Sequence, residues 1–132
     1  GYIFEDGKTR LLFDPVLIEP FSGNCYSFPE TEIDITEFCK LKFDAIFISH
    51  IHEDHFCLES LNYFDRDIPI YIFSVFVEAL ELLKELGFRN IHLLELSNDV
   101  RVGEFNVRTH RALDENIDSI FHINWKQVNI LN

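Results

Sequence analysis

The stretch Phe43-Asp44-Ala45-Ile46-Phe47-Ile48-Ser49-His50-Ile51-His52-Glu53-Asp54-His55 runs an apolar segment straight into a cluster of metal-type side chains. Residues 43–48 are aromatic and β-branched on both faces, which suits a central strand buried on both sides. Three imidazoles and the Asp54 carboxylate follow within six residues. Imidazole nitrogen and carboxylate oxygen are the donors that zinc, iron and manganese accept. His50 and His52 are two apart, so both can point the same way where the strand ends. A following turn can swing Asp54 and His55 to a second, adjacent position. That arrangement suits two metals sharing one loop, and paired metals can clamp both the attacking and the leaving oxygens of a reaction. A polar turn with incidental histidines is the weaker reading, because three of the six histidines of the chain fall in this one hexapeptide.

Working outward, Tyr2–Glu5 and Arg10–Phe13 read as strands joined by the turn signal Asp6-Gly7-Lys8. Asp14-Pro15 ends the second strand, because proline cannot continue a ladder. Residues 16–32 hold Pro20, Gly23 and Pro29 and read as a long surface loop, a kind that is often functional. A short helix is expected at 34–39, another at 56–64 and a strand at 68–73. Over 75–86, Val75, Ala79, Leu82, Leu83 and Leu86 share one helical face, with Gly87 as the stop. Strands are expected at 91–94, 100–102 and 104–108. A last hairpin, 119–123 with Val128–Leu131, turns around Trp125-Lys126-Gln127. This order fits one domain over residues 1–132, a mixed α/β sandwich with helices outside packed sheets.

Composition narrows the function classes. The chain has 132 residues, 47% apolar and 14% aromatic, enough for a packed core. Its formal net charge of −12 disfavours nucleic acid as a partner, which needs Lys and Arg contacts to phosphate. No apolar run reaches the ~18 residues of a membrane span. Residues 1–13 lack a basic start followed by a long apolar stretch, so a cytoplasmic location is expected. Cys25, Cys39 and Cys57 are odd in number and unpaired in spacing, which speaks for reduced thiols and against a disulfide framework or a cysteine zinc knuckle.

The hexapeptide resembles the HxHxDH signature of the metallo-β-lactamase superfamily. The resemblance extends to residues 10–15, similar to the early strand whose terminal Asp supports the metal loop, to Ile46-Phe47-Ile48-Ser49 feeding the motif, and to Asp67-Ile68-Pro69-Ile70-Tyr71 as the next strand. Within the superfamily, Asp14-Pro15 with its long loop, Ile68-Pro69-Ile70-Tyr71 and Ile130-Leu131-Asn132 resemble the group of CMP-sialic acid hydroxylases and related phospholipase and lactonase-like proteins. The resemblance implies the N-terminal portion of an αββα sandwich. It implies that His50 and His52 bind a first metal with a third histidine from a later loop. His110 is the candidate, since it follows the expected 104–108 strand and opens the polar stretch 111–117. His92 and His122 fall within strand patterns and are expected to be structural. Asp54 and His55 would bind a second metal, Asp54 would also orient or deprotonate the attacking water, and Asp14 would hydrogen-bond the loop behind the ligands. Glu53 occupies the variable position, which usually faces away. The implied cofactor is zinc, one or two ions, with iron or manganese as substitutes.

The activity so implied is hydrolysis of an ester, lactone, amide or phosphodiester in a small molecule by a metal-bound hydroxide. Two other functions stand beside it. One is the metallo-β-lactamase-fold part of a Rieske-type, CMP-sialic acid hydroxylase-like oxygenase, although the two-Cys, two-His motif of a Rieske centre is not in this sequence. The other is a metal-binding or assembly domain without turnover. A bridging Asp after Val128–Leu131 and a final His would follow Asn132, so the chain alone is expected to be inactive or nearly so, since ångström errors in a site cost about 100-fold. Half a sandwich would expose a large apolar sheet face, to be covered by a partner chain, a second copy or the other half.

Overall fold

The computed structural model describes residues 1–29, 32–73, 75, 77–112 and 118–132. Strands β1 (Tyr2–Glu5) and β2 (Arg10–Phe13) form the expected hairpin. The Asp6 carboxylate closes its turn by accepting from Lys8 N at 2.9 Å and Thr9 N at 2.8 Å, with Gly7 at φ +85°. Strands β3 (Ala45–Ile48), β4 (Ile70–Ile72) and β5 (Ile91–Leu93) continue in the order β1-β2-β3-β4-β5, with β2 to β5 mutually parallel. Each parallel step crosses through a helix: α1 (Ile35–Phe38), α2 (Leu58–Leu61) and α3 (Val77–Glu85). Asp34 caps α1 through Glu37 N at 3.1 Å, so the helix begins one residue inside the expected span.

Alternation along the strands makes two cores. Leu12, Ile46, Ile48, Ile70 and Ile72 face the helices and pack with Leu61, Ala79 and Leu83. Leu11, Phe13, Ala45 and Phe47 face a second, antiparallel sheet and meet Phe105, Val107, Phe121 and Ile123. That sheet is a meander of β6 (Asp99–Val102), β7 (Phe105–Arg111), β8 (Ser119–Trp125) and β9 (Val128–Leu131). Phe47 is the hinge of the stack: its ring lies 4.9 Å from Phe13, 4.8 Å from Tyr71 and 5.8 Å from Phe121. The layers are therefore helices, mixed sheet, antiparallel sheet, as an α/β sandwich requires. β3 is buried on both faces because it lies between both cores, and all four of its residues are fully buried.

Several elements differ in length from expectation: the helix expected at 56–64 is the single turn Leu58–Leu61, and β8 runs on to Trp125; two departures bear on packing and on the site. Helix α3 starts at Val77, and Val75 and Leu82 are exposed at 56% and 38%. Its buried stripe is Ala79 and Leu83, one turn apart, and Leu82 sits ~100° around the helix from Leu83. Replacing Leu83, fully buried, by Ala is expected to cost about 2–3 kcal/mol of unfolding free energy, as read from a urea midpoint at unchanged slope. The second departure is β7, which runs on to Arg111 because it pairs with β8 through Arg111↔Ser119. The strand thus includes His110 instead of ending before it. The outward face of this sheet carries Asn106, Arg108, His110, His122 and Asn124, with Ile120 and Leu131 as its exposed apolar residues. Among the described residues no helix is long and apolar enough to cross a membrane.

Candidate metal centre

The parallel strands β2 and β3 end side by side, and their next residues build the foundation of the site. Asp14, nearly fully buried, donates its N–H to Phe47 O at 2.9 Å and holds a left-handed backbone at φ +45°. Its carboxylate then takes three hydrogen bonds. Oδ1 accepts from Ser49 N at 2.7 Å; Oδ2 accepts from Ser49 Oγ at 2.9 Å and lies 3.0 Å from His55 Nδ1. A turn returns the chain to this point, with His55 N and Phe56 N both donating to His52 O, at 2.8 and 2.7 Å. One buried carboxylate therefore ties the start and the end of the histidine motif together.

This network selects tautomers. Ser49 Oγ spends its proton on Asp14, so it can only accept from His50 Nδ1, 2.9 Å away. Asp14 Oδ2 likewise accepts a proton from His55 Nδ1. Both rings then present a bare Nε2, the form a metal ligand needs. The His50 ring centroid lies 4.0 Å from that of His55 and 4.7 Å from that of His52, so the three imidazoles form one cluster. Burial, and then the neighbouring His55, push His50 below the ordinary imidazole pKa, against the attraction of Asp118. The Asp14 hydrogen bond raises His55, against its burial.

Asp118 completes the cluster from the second sheet. Ser119 Oγ donates to Ser49 O at 2.6 Å, a bond across the two sheets between residues 70 positions apart. It sets the residue before it over the motif, with Asp118 Oδ1 3.9 Å from His50 Nε2 and 4.0 Å from His52 Nδ1. One donor atom from each of the three residues lies within 4.8 Å of the other two. Asp118 Oδ1 is buried without a hydrogen-bond partner among the described residues. A buried carboxylate oxygen without a donor is costly. The gaps are too long for hydrogen bonds, yet only slightly wider than the ~3.3 Å between ligands on a tetrahedral ion with ~2 Å bonds. The donor set and its geometry fit a metal ion.

Of the residues expected at the site, His50, His52, Asp54 and His55 are together, with Asp54 Oδ2 3.7 Å from His55 Nε2. His110 is not brought to them. Its ring stands 5.9 Å from that of His122, on the face of β7 opposite to buried Phe105, Val107 and Thr109. The physical reason is the length of β7: inside a ladder, a residue following an inward Thr109 must point outward. The stretch 111–117, expected to be opened by His110, lies outside the described residues from 113 onward. Asp118 is the residue that sequence reasoning missed. It carries no local signal, being one acidic residue ahead of a strand in a chain with 23.

The family described as "Beta-lactamase superfamily domain" matches residues 1–131. Cytidine monophosphate-N-acetylneuraminic acid hydroxylase of Cricetulus griseus is 39% identical over 71 residues, which is 50% of this chain and 12% of that protein. Isothiocyanate hydrolase from Delia radicum gut bacteria superposes with a TM-score of 0.70 at 18% identity, over 98% of this chain and 57% of that one. CmlA, a diiron β-hydroxylase from Streptomyces venezuelae, superposes with a TM-score of 0.63 at 19% identity, over 93% and 25%. The two structures show the shared fold, and the chain spans well under two thirds of each of the three proteins.

Proposed function

The chain belongs to the β-lactamase superfamily domain family, and on that footing we propose that the protein is a metal-dependent hydrolase of an ester, lactone, amide or phosphodiester bond in a small molecule. The observation that carries the proposal is the convergence of His50 Nε2, His52 Nδ1 and Asp118 Oδ1, which has no hydrogen-bond partner among the described residues. These three residues hold the first ion, zinc by preference for two imidazoles and a carboxylate. Asp54 and His55 hold a second. When bound, such ions polarise a carbonyl or phosphoryl oxygen and bring the pKa of water towards ~7. The residues supply the rest. Asp14 and Ser49 keep bare Nε2 atoms on His50 and His55. Asp54, half exposed, takes the proton of the attacking water on its carboxylate. On the outward sheet face, a second copy or further chain is the proposed cover.

The choice between Asp118 and His110 is open to a direct test. Asp118→Asn is expected to weaken zinc binding by about 10- to 100-fold in a chelator competition, with no lower melting temperature in the metal-free protein, since the carboxylate whose Oδ1 is buried loses its charge. His110→Ala is expected to bind zinc as the parent does. The reverse pattern would make His110 the ligand.

A second reading is favoured by the 39% identity to a hydroxylase: the same donors holding iron for oxygen chemistry. Zinc-loaded protein turning over an ester, lactone and phosphodiester panel supports hydrolysis. Oxygen uptake confined to iron-loaded protein, with no hydrolysis, would replace it.

A further inference from the structure

A cavity of about 340 Å³ opens beside the metal loop, between the first hairpin, helix α1 and the connection that follows Asp14. Its wall is apolar at Val16, Leu17, Phe21 and Phe38 and carries two carboxylates, Glu19 and Asp54. Among the described residues no lysine, arginine or histidine side chain lines it. The size falls at the lower end of the roughly 300–1,000 Å³ typical of small-molecule sites.

The connection is held in place by its own bonds. Leu17 N donates to Ser60 Oγ of α2 at 2.8 Å. Phe21 and Cys25 exchange backbone hydrogen bonds of 3.0 and 2.8 Å. Glu19 Oε1 accepts from Ser27 N at 3.0 Å and from Ser27 Oγ. The wall is thus formed before any ligand arrives, which spares the ordering cost on binding.

Asp54 belongs both to this wall and to the metal loop. A molecule with its scissile group at the metals would run its remainder past Asp54 towards Glu19. We propose that this cleft is the site for the substrate's tail, and that it takes an apolar body ending in a cationic group while rejecting an anionic one. The assignment rests on the hydrolase reading for the head of the substrate. It separates the specificity of this chain from that of its hydroxylase relative, whose name specifies a nucleotide-linked sugar acid. Metals bound at Asp54 would neutralise that carboxylate and leave Glu19 as the other acidic group of the wall. In apolar surroundings one uncompensated carboxylate discriminates strongly between opposite charges.

The test uses phenylbutylamine, phenylbutanol and phenylbutyrate, titrated by calorimetry into the protein with and without zinc, with zinc uptake measured on the same samples. In the metal-free arm the amine is expected to bind at least about tenfold tighter than the carboxylate, with the alcohol between them. Glu19→Gln, which keeps an acceptor for Ser27 N, is expected to bring the amine within about threefold of the alcohol while the alcohol holds its affinity. Melting curves confirm that the variant is folded. Equal or tighter binding of the carboxylate overturns the proposal, as does binding of none of the three or an unchanged ratio in Glu19→Gln. Zinc uptake with no amine preference removes the cleft assignment alone. Amine preference without zinc uptake removes the hydrolase reading alone and leaves the cleft as a binding site for cationic apolar molecules.

Discussion

Replacing His50 and His52 together by alanine is expected to abolish metal uptake, lowering zinc affinity by about four orders of magnitude. The magnitude follows from structural zinc sites, where ~10–16 kcal/mol is spread over four ligands, so each ligand accounts for about 3 kcal/mol, or ~100-fold. Loss of two donors leaves Asp118 facing empty space and Asp54 with His55 as an isolated pair. The fold should survive, because His52 is more than half exposed and neither ring belongs to a hydrophobic core. Metal analysis of the parent and double variant, purified without chelator, with circular dichroism as the control for folding, reads the outcome. Equal metal content in two folded proteins would sink the assignment.

Asp14→Ala is the second large effect, on stability and on metal together. The carboxylate is 7% exposed and satisfies Ser49 N, Ser49 Oγ and His55 Nδ1. Its removal strands a buried backbone N–H and frees the His55 ring, and losing one partner of a buried charged network costs about 3–5 kcal/mol. Alanine at φ +45° adds strain of about 1 kcal/mol that aspartate tolerates better. Metal affinity should fall by a further 10- to 100-fold, roughly the effect of removing a partner from a ligating imidazole. Asp14→Asn isolates the second consequence. Asparagine accepts the left-handed backbone and can still take the Ser49 N–H. Its amide N–H₂ in place of Oδ2 would oppose a protonated Nδ1 and drive His55 to the other tautomer. Nitrogen chemical shifts of His55 would show the change. A variant with the parental tautomer and zinc affinity would mean that Asp14 supports the fold without orienting the ligand.

The foundation of the site was legible because its signals are local. A strand with apolar residues on both faces must lie between two layers, and β3 does. Asp14-Pro15 had to end β2, and parallel pairing of β2 with β3 puts Asp14 beside Ser49. The spacing of His50, His52, Asp54 and His55 alone placed them on one strand end and its turn. Helix α3 was legible as a helix but not in its orientation, because several apolar stripes through Ala79, Leu82 and Leu83 fit the periodicity and only docking on the sheet chooses among them.

Which residue stands beside His50 and His52 was set by the packing of distant elements. Whether β7 stops before His110 or runs to Arg111 depends on its pairing with β8, and with a period of two that choice sends the ring to the site or away from it. Asp118 reaches His50 and His52 through the packing of one sheet on the other and the Ser119 to Ser49 bond. The motif and the strand that delivers it are local features, each set within a few residues. The cluster of His50, His52 and Asp118 and the acidic, apolar cleft beside it are made by residues far apart in the chain, and only closure of the two sheets and of the connection over β2 brings them to one place.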